Sequence, residues 1–233
     1  MLFRLLAVSD RASLTDPGED RLSGDGEERL DEWLRQLAAA GVDGLELREK
    51  DLDDRALYDL ARLARRRFPP PARLLVNGRL DVALAAGADG VHLPADGVPV
   101  APLRRRFGPR LLLGLSTHRV EEVVAAREAG ADYVTFGPVY PTPGKERYGA
   151  PPGLGALARA AAAGIPVYAL GGVTLERLAE VAAAGAAGAA GIRLFQEVSR
   201  LPELVRAAAL AFPMPPTPPM PPALPGDAVR REP

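Results

Sequence analysis

Eight β-rich runs alternating with helical segments, a short glycine-punctuated repeat, and a folded stretch of residues 1–212 predict an α/β protein, a (β/α)8 TIM barrel. The strand runs are residues 3–9, 44–48, 73–77, 90–93, 111–116, 133–137, 166–171 and, more weakly, 187–192. Between them lie strong helix formers at helical spacing, as at 27–40, 55–68, 120–129 and 175–184. Each strand is followed by a helix. A doubly wound open sheet is the competing architecture, but no Gly-x-Gly-x-x-Gly turn follows an early strand.

The repeat reads Ala40-Gly41-Val-Asp-Gly-Leu-Glu-Leu, Ala86-Gly87-Ala-Asp-Gly-Val-His-Leu, Ala129-Gly130-Ala-Asp-Tyr-Val-Thr-Phe and Ala184-Gly185-Ala-Ala-Gly-Ala-Ala-Gly. In each copy a helix ends on a glycine suited to the left-handed conformation, and a strand begins two or three residues later. The copies precede strands two, four, six and eight, as successive βα units require.

Composition narrows the function. The chain has 233 residues, 47% hydrophobic and 25% charged, with a net charge of −1 from 29 basic and 30 acidic residues. Basic residues gather in no segment, so nucleic acid and anionic membranes are not expected partners. With no cysteine, thiolate metal sites, disulfides and cysteine nucleophiles are excluded. Neither a signal peptide nor a membrane span is visible, which predicts a cytoplasmic protein; homo-oligomerisation is left open. Proline supplies 9 of residues 213–233, which are expected to form a disordered tail.

Lys50 and Lys145 are the only lysines, and His92 and His118 the only histidines. All four fall at or just beyond strand ends, where barrel active sites lie. In strand two, alternation turns Leu45 and Leu47 toward helices and Glu46, Arg48 and Lys50 toward the mouth. The two cations and one anion form either a self-satisfied buried ion network or a site for an anionic ligand. Thr142, Gly144 and Lys145, after strand six, suit either a phosphate-gripping loop or an ordinary surface turn. Gly171-Gly172 precede a helix and let backbone N–H groups approach an anion, or simply make a tight turn. Ile192-Arg193 end strand eight, and barrel phosphate sites are often built after strands seven and eight. His118 is either a proton carrier near neutral pH or a residue bonded to backbone beside a helix cap. His92, flanked by Val91 and Leu93, reads as a satisfied interior histidine, and Asn77 as a ligand holder or helix cap.

Taken in order, Glu46-Leu-Arg48-Glu-Lys50, Leu74-Leu-Val-Asn77, Ala88-Asp-Gly-Val-His92-Leu, Gly114-Leu-Ser116-Thr-His118, Ala131-Asp-Tyr133-Val-Thr-Phe-Gly137-Pro-Val-Tyr140-Pro-Thr142, Lys145 and Ala169-Leu-Gly171-Gly172-Val resemble one family. It contains thiamine phosphate synthase and its relative, the thiazole tautomerase. The resemblance implies a barrel enzyme that binds a small phosphorylated thiazole. It implies Arg48 and Lys50 for a pyrimidine or its pyrophosphate and Lys145 for phosphoryl oxygens. Thr142 to Gly144, Gly171, Gly172, Ile192 and Arg193 would hold the thiazole phosphate, Ser116 would sit beside the substrate, and His118 would transfer protons.

The chain also departs from the synthase pattern. Glu46 stands where the synthase has Gln, Asn77-Gly78 where it has Asn-Asp, Asp96 one residue early, and Arg193 where a small serine is common. One expected magnesium carboxylate is therefore absent and the other displaced. These departures lead us to expect a cofactor-free, tautomerase-like proton transfer by His118, with Glu46 as partner. The alternative is a synthase using Mg²⁺ held by Asp96 or Asp81. A second alternative is an inactive binder of thiazole phosphate.

Overall fold

The computed structural model describes residues 2–14, 25–142 and 150–213. Elements follow one another as β1 (Leu5–Val8), α1 (Asp25–Ala40), β2 (Gly44–Leu47), α2 (Asp54–Arg67), β3 (Arg73–Asn77), α3 (Leu80–Ala86), β4 (Gly90–Leu93) and α4 (Val100–Phe107). The second half runs β5 (Leu112–Thr117), α5 (Val120–Glu128), β6 (Tyr133–Phe136), α6 (Gly153–Ala161), β7 (Val167–Leu170), α7 (Leu178–Ala183), β8 (Gly188–Gly191) and α8 (Leu201–Ala211). All strand pairs are parallel in the order β1 to β8, and β1 closes on β8 with Leu6 beside Ala190. This is the expected (β/α)8 barrel. The segment 175–184 divides into a 3-10 turn, Leu175–Arg177, followed by α7. Residues 214–233, nearly all of the proposed tail, lie outside the described residues. No helix among the described residues is long and apolar enough to cross a membrane.

Two apolar layers follow from the period of two along each strand. Leu45, Leu47, Leu74, Val76, Val91, Leu93, Val134 and Phe136 face outward against the helices. Helix α2 shows how the outer layer forms. Asp53 caps it by accepting from Ala56 N–H at 2.8 Å, Leu57, Leu60, Ala61 and Ala64 are buried, and Arg65 to Arg67 complement the C-terminal dipole. Inside the barrel, Phe3, Leu6, Leu75, Tyr133, Tyr168 and Ala190 make a separate cluster. Three rings dominate it: Phe3 to Tyr168 centroids lie 4.5 Å apart, and Tyr133 meets both edge-on at 5.2 and 5.4 Å. Glycine makes room for them. A Cβ at Gly114 would lie 2.2 Å from the Tyr133 ring, and one at Gly44 2.8 Å from Phe3.

The repeat has a structural meaning at the N-terminal face. Gly41, Gly87, Gly130 and Gly185 all adopt positive φ, between 70° and 88°, as the helix-stop reading expects. The aspartate two residues later reaches sideways to the preceding strand. Asp43 accepts from Arg4 and Leu5 N–H at 3.0 Å, Asp89 from Leu74 N–H at 2.8 Å, and Asp132 from Leu113 N–H at 2.7 Å. Asp89 also binds Arg65 at 2.7 Å and Arg73 at 3.0 Å, while Asp132 binds Arg104. The fourth copy has Ala187 at this position and no such clamp.

Candidate active site

Above the aromatic rings the interior turns polar. Glu46, buried on β2, accepts from the Asn77 amide of β3 at 2.8 Å. Asn77 therefore looks inward and does not cap α3, which starts three residues later. His92 on β4 is buried and uses both ring nitrogens: Nδ1 is 2.9 Å from the Tyr133 hydroxyl, and Nε2 is 2.9 Å from Ser116 Oγ and 3.3 Å from Thr135 Oγ1. Burial holds its pKa below the ordinary 6.5, the Glu46 charge opposes this, and the nearby Arg48 charge adds to it. Burial pushes the Tyr133 phenol well above its ordinary range, with the Glu46 charge adding to it. The interior reading of His92 agrees with this geometry.

Arg48 follows β2, its N–H donating to the buried Ser9 hydroxyl at 2.8 Å. Its side chain is half-buried, and among the described residues it forms no ion pair. A self-satisfied Glu46, Arg48 and Lys50 network is thus not what forms: Glu46 pairs with an amide. Lys50 also departs from expectation. Strand β2 ends at Leu47, so alternation stops there, and Lys50 stands exposed on a turn. It lines a cleft of about 320 Å³ together with Glu49, Leu52, Asn77, Gly78 and Arg79. Glu49 is buried and accepts from Arg11 N–H at 3.2 Å, tying the loop after β1 to the loop after β2. Burial raises its pKa, partly offset by the Ser9 hydroxyl and the Arg11 N–H.

The opposite rim is formed by the loops after β6 and β7. Val139 and Tyr140 N–H donate to the carbonyls of Leu170 and Gly171 at 2.9 and 3.1 Å, and Arg177 Nη1 donates to Gly172 O at 2.6 Å. The Arg177 guanidinium also lies 4.2 Å from the Tyr140 ring centroid, and the Tyr140 hydroxyl donates to Glu180 at 2.6 Å. A trans peptide holds C=O and N–H antiparallel, so the N–H groups of Gly171 and Gly172 point away from the loop after β6. Gly171 and Gly172 have φ of 89° and 67°, and their Cβ positions are taken by Pro138 at 2.6 Å and Tyr140 at 2.7 Å. The glycine pair is therefore required by the chain's own packing, as the tight-turn reading expects. Thr142 Oγ1 donates to Tyr140 O at 2.9 Å. Ile192 is half-buried and Arg193 exposed at the end of β8. Gly144 and Lys145 lie outside the described residues.

His118 is exposed immediately after β5, and its Nδ1 donates to Gly137 O at 2.5 Å, which makes Nε2 the basic nitrogen of the neutral ring. Its N–H is accepted by Glu122 at 2.7 Å. Glu46 and His118 do not form a pair: strands β3 and β4 separate β2 from β5, and each residue has other partners. For magnesium, the described residues contain no group of three or more ligating side chains. Asp81 is bound by Arg79 at 2.8 Å and pushed down to about 2 by it, and Asp96 is exposed in the turn after β4. This donor set does not fit a carboxylate-anchored magnesium site.

Residues 14–195 match the family model described as thiamine monophosphate synthase. The chain belongs to this family. Thiamine-phosphate synthase of Methanoculleus marisnigri is 44% identical over 167 residues, covering 70% of this chain and 78% of that one. The same enzyme of Anaeromyxobacter dehalogenans is 43% identical over 149 residues, 64% and 67% of the two chains. A thiamine phosphate pyrophosphorylase from Pyrococcus furiosus superposes with a TM-score of 0.76 at 27% identity, covering 90% of this chain and 97% of that one. These relatives place the chain among enzymes of thiamine biosynthesis, and they are named as synthases, not tautomerases. The tautomerase expectation drawn from Glu46 and Gly78 finds no support in these names, whereas its synthase alternative does.

The structure also brings in residues that the motifs left without a role. Ser9, Glu49, Thr135 and Arg177 bond to residues of the mouth, and Tyr133 lies beneath them. Tyr133 and Thr135 share a strand face, so period-two alternation could have found them; nothing in the sequence marks Arg177.

Proposed function

We propose that the chain is a thiamine-phosphate synthase, joining a hydroxymethylpyrimidine diphosphate to a thiazole phosphate. The observation that carries this reading is Arg48, a half-buried cation at the mouth with no ion-pair partner among the described residues. Such a charge suits an anion. Arg48 and Lys50 hold the diphosphate on the β2 and β3 side. The N–H groups of the loop after β7, with Thr142, Ile192, Arg193 and the Gly144 and Lys145 segment, hold the thiazole phosphate on the other. Between them, the bond from the pyrimidine methylene carbon to the diphosphate oxygen breaks, and pyrophosphate leaves with the electron pair. The thiazole nitrogen lone pair then forms the new C–N bond. Arg48 and Lys50 stabilise the charge that grows on the departing oxygen. Ser116 and Asn77 face the pyrimidine from the polar floor.

His118 favours a second reading. Its anchored Nδ1 presents Nε2 as a base, which fits proton transfer on a thiazole carboxylate phosphate. One experiment separates the two: thiamine phosphate formation from both substrates, with and without Mg²⁺, beside tautomerase turnover, for the unaltered chain and His118→Asn. The synthase reading expects coupled product, largely retained in His118→Asn. Tautomerase turnover that His118→Asn abolishes, without coupled product, would overturn it.

A further inference from the structure

We propose that Tyr133 and His92 are positioning residues that fix the direction of the Ser116 hydroxyl, making it a hydrogen-bond donor into the barrel mouth. The last link rests on the synthase reading; the proton arrangement does not.

The number of hydrogens available to these side chains fixes their arrangement. The Tyr133 phenol is buried under the floor, in space that the missing side chain of Gly114 leaves open, and among the described residues its hydrogen-bond partner is His92 Nδ1. Burial keeps the phenol protonated and the imidazole neutral. A neutral imidazole has one N–H and one lone pair, and a buried hydroxyl hydrogen needs an acceptor. Tyr133 therefore donates to Nδ1, and the ring hydrogen sits on Nε2. From Nε2 the hydrogen is shared between Ser116 Oγ at 2.9 Å and Thr135 Oγ1 at 3.3 Å. The reverse assignment would ask two hydroxyls to donate to a single lone pair. A shared donor is the ordinary solution.

Ser116 is thus an acceptor on its inner side. Its own hydrogen must point elsewhere, and Ser116 is the half-buried member of the set, one residue from the C-terminal end of β5. There it meets a substrate acceptor without first having to turn. A donor whose orientation is set before charge develops needs no reorganisation during the reaction. Removing the Tyr133 hydroxyl would free His92 to change tautomer and Ser116 to turn inward.

The test uses the full chain labelled with 15N-histidine. Only two histidines are present, and His118→Asn assigns His92 by difference. In the unliganded protein near neutral pH, the shifts should report a protonated Nε2 and an unprotonated Nδ1 that accepts a hydrogen bond. Tyr133→Phe should mix the tautomers and lower kcat about 10-fold, roughly 1.4 kcal/mol, with KM values nearly unchanged. Added to Ser116→Ala, it should cause no further loss. A protonated Nδ1 in the unaltered chain would overturn the proposal, as would additive losses in the double variant. The first readout needs no turnover and no variant at position 133, so failure of the synthase reading would show separately, as absent coupled product beside an intact tautomer pattern.

Discussion

The two ends of the barrel use the same kinds of residue for opposite ends. At the N-terminal face, Asp43, Asp89 and Asp132 each take backbone N–H groups from a neighbouring strand, and Asp89 and Asp132 also take arginines. At the C-terminal face, Arg48 has no carboxylate among the described residues, and Glu46 is bonded to an amide. Saturated charge locks strands together. Charge without a counter-ion is available to a ligand. The difference agrees with the general division of such barrels into a stability face and an active face.

That contrast can be broken most severely at the mouth. Arg48→Ala should lower kcat/KM for coupling by roughly 100-fold or more, about 3 kcal/mol, while the melting temperature stays nearly constant; a loss under threefold would remove Arg48 from the site. Asp89→Ala should do the reverse. It leaves two arginines of 14 and 17% exposure and a backbone N–H without their acceptor, at a cost of roughly 3 kcal/mol. Steady-state kinetics should be unchanged below the new, lower melting temperature, and an unchanged denaturation midpoint would show that the clamp does not hold the strands.

Smaller effects sharpen the boundary between the two faces. His92 titrates near 6.5 when unfolded and lower when folded, so below about 6.5 the unfolded chain binds the extra proton. Stability should therefore fall with acidification from that pH, by up to about 1.4 kcal/mol per pH unit from this residue. His92→Gln should flatten the slope in denaturant titrations at pH about 5 to 7. Arg177→Gln should weaken binding of thiazole phosphate about 10-fold, near 1.4 kcal/mol, by releasing the Gly172 carbonyl; calorimetry showing unchanged affinity would mean that the β7 loop orients itself.

Much of the barrel was legible because strand runs and helix stops are local. The four repeat glycines take the positive φ their place in the sequence predicts. Parity along β2 likewise gives Glu46 an inward direction, but it fails at Lys50, because a strand's alternation ends with the strand and the sequence does not mark that end sharply. The Tyr133, His92 and Ser116 line was not legible. It depends on lateral register, which sets His92 beside Gly114, Gly114 beside Tyr133 and Ser116 beside Thr135, and register is decided by closure of the whole sheet. Glu46 and Gly78 lean toward the tautomerase while the relatives are named as synthases, because two residues at the mouth carry less information about the reaction than similarity over 149 to 167 residues.

The three-ring floor made by Phe3, Tyr133 and Tyr168 also governs traffic. A cup sealed at its base has a single doorway, so two reactants that share it must queue. On the synthase reading, whichever reactant lies against Ser116 and Asn77 is expected to arrive first and to leave last. Ordered addition is thus what that reading, joined to three rings stacked at the far end of the barrel, leads us to expect.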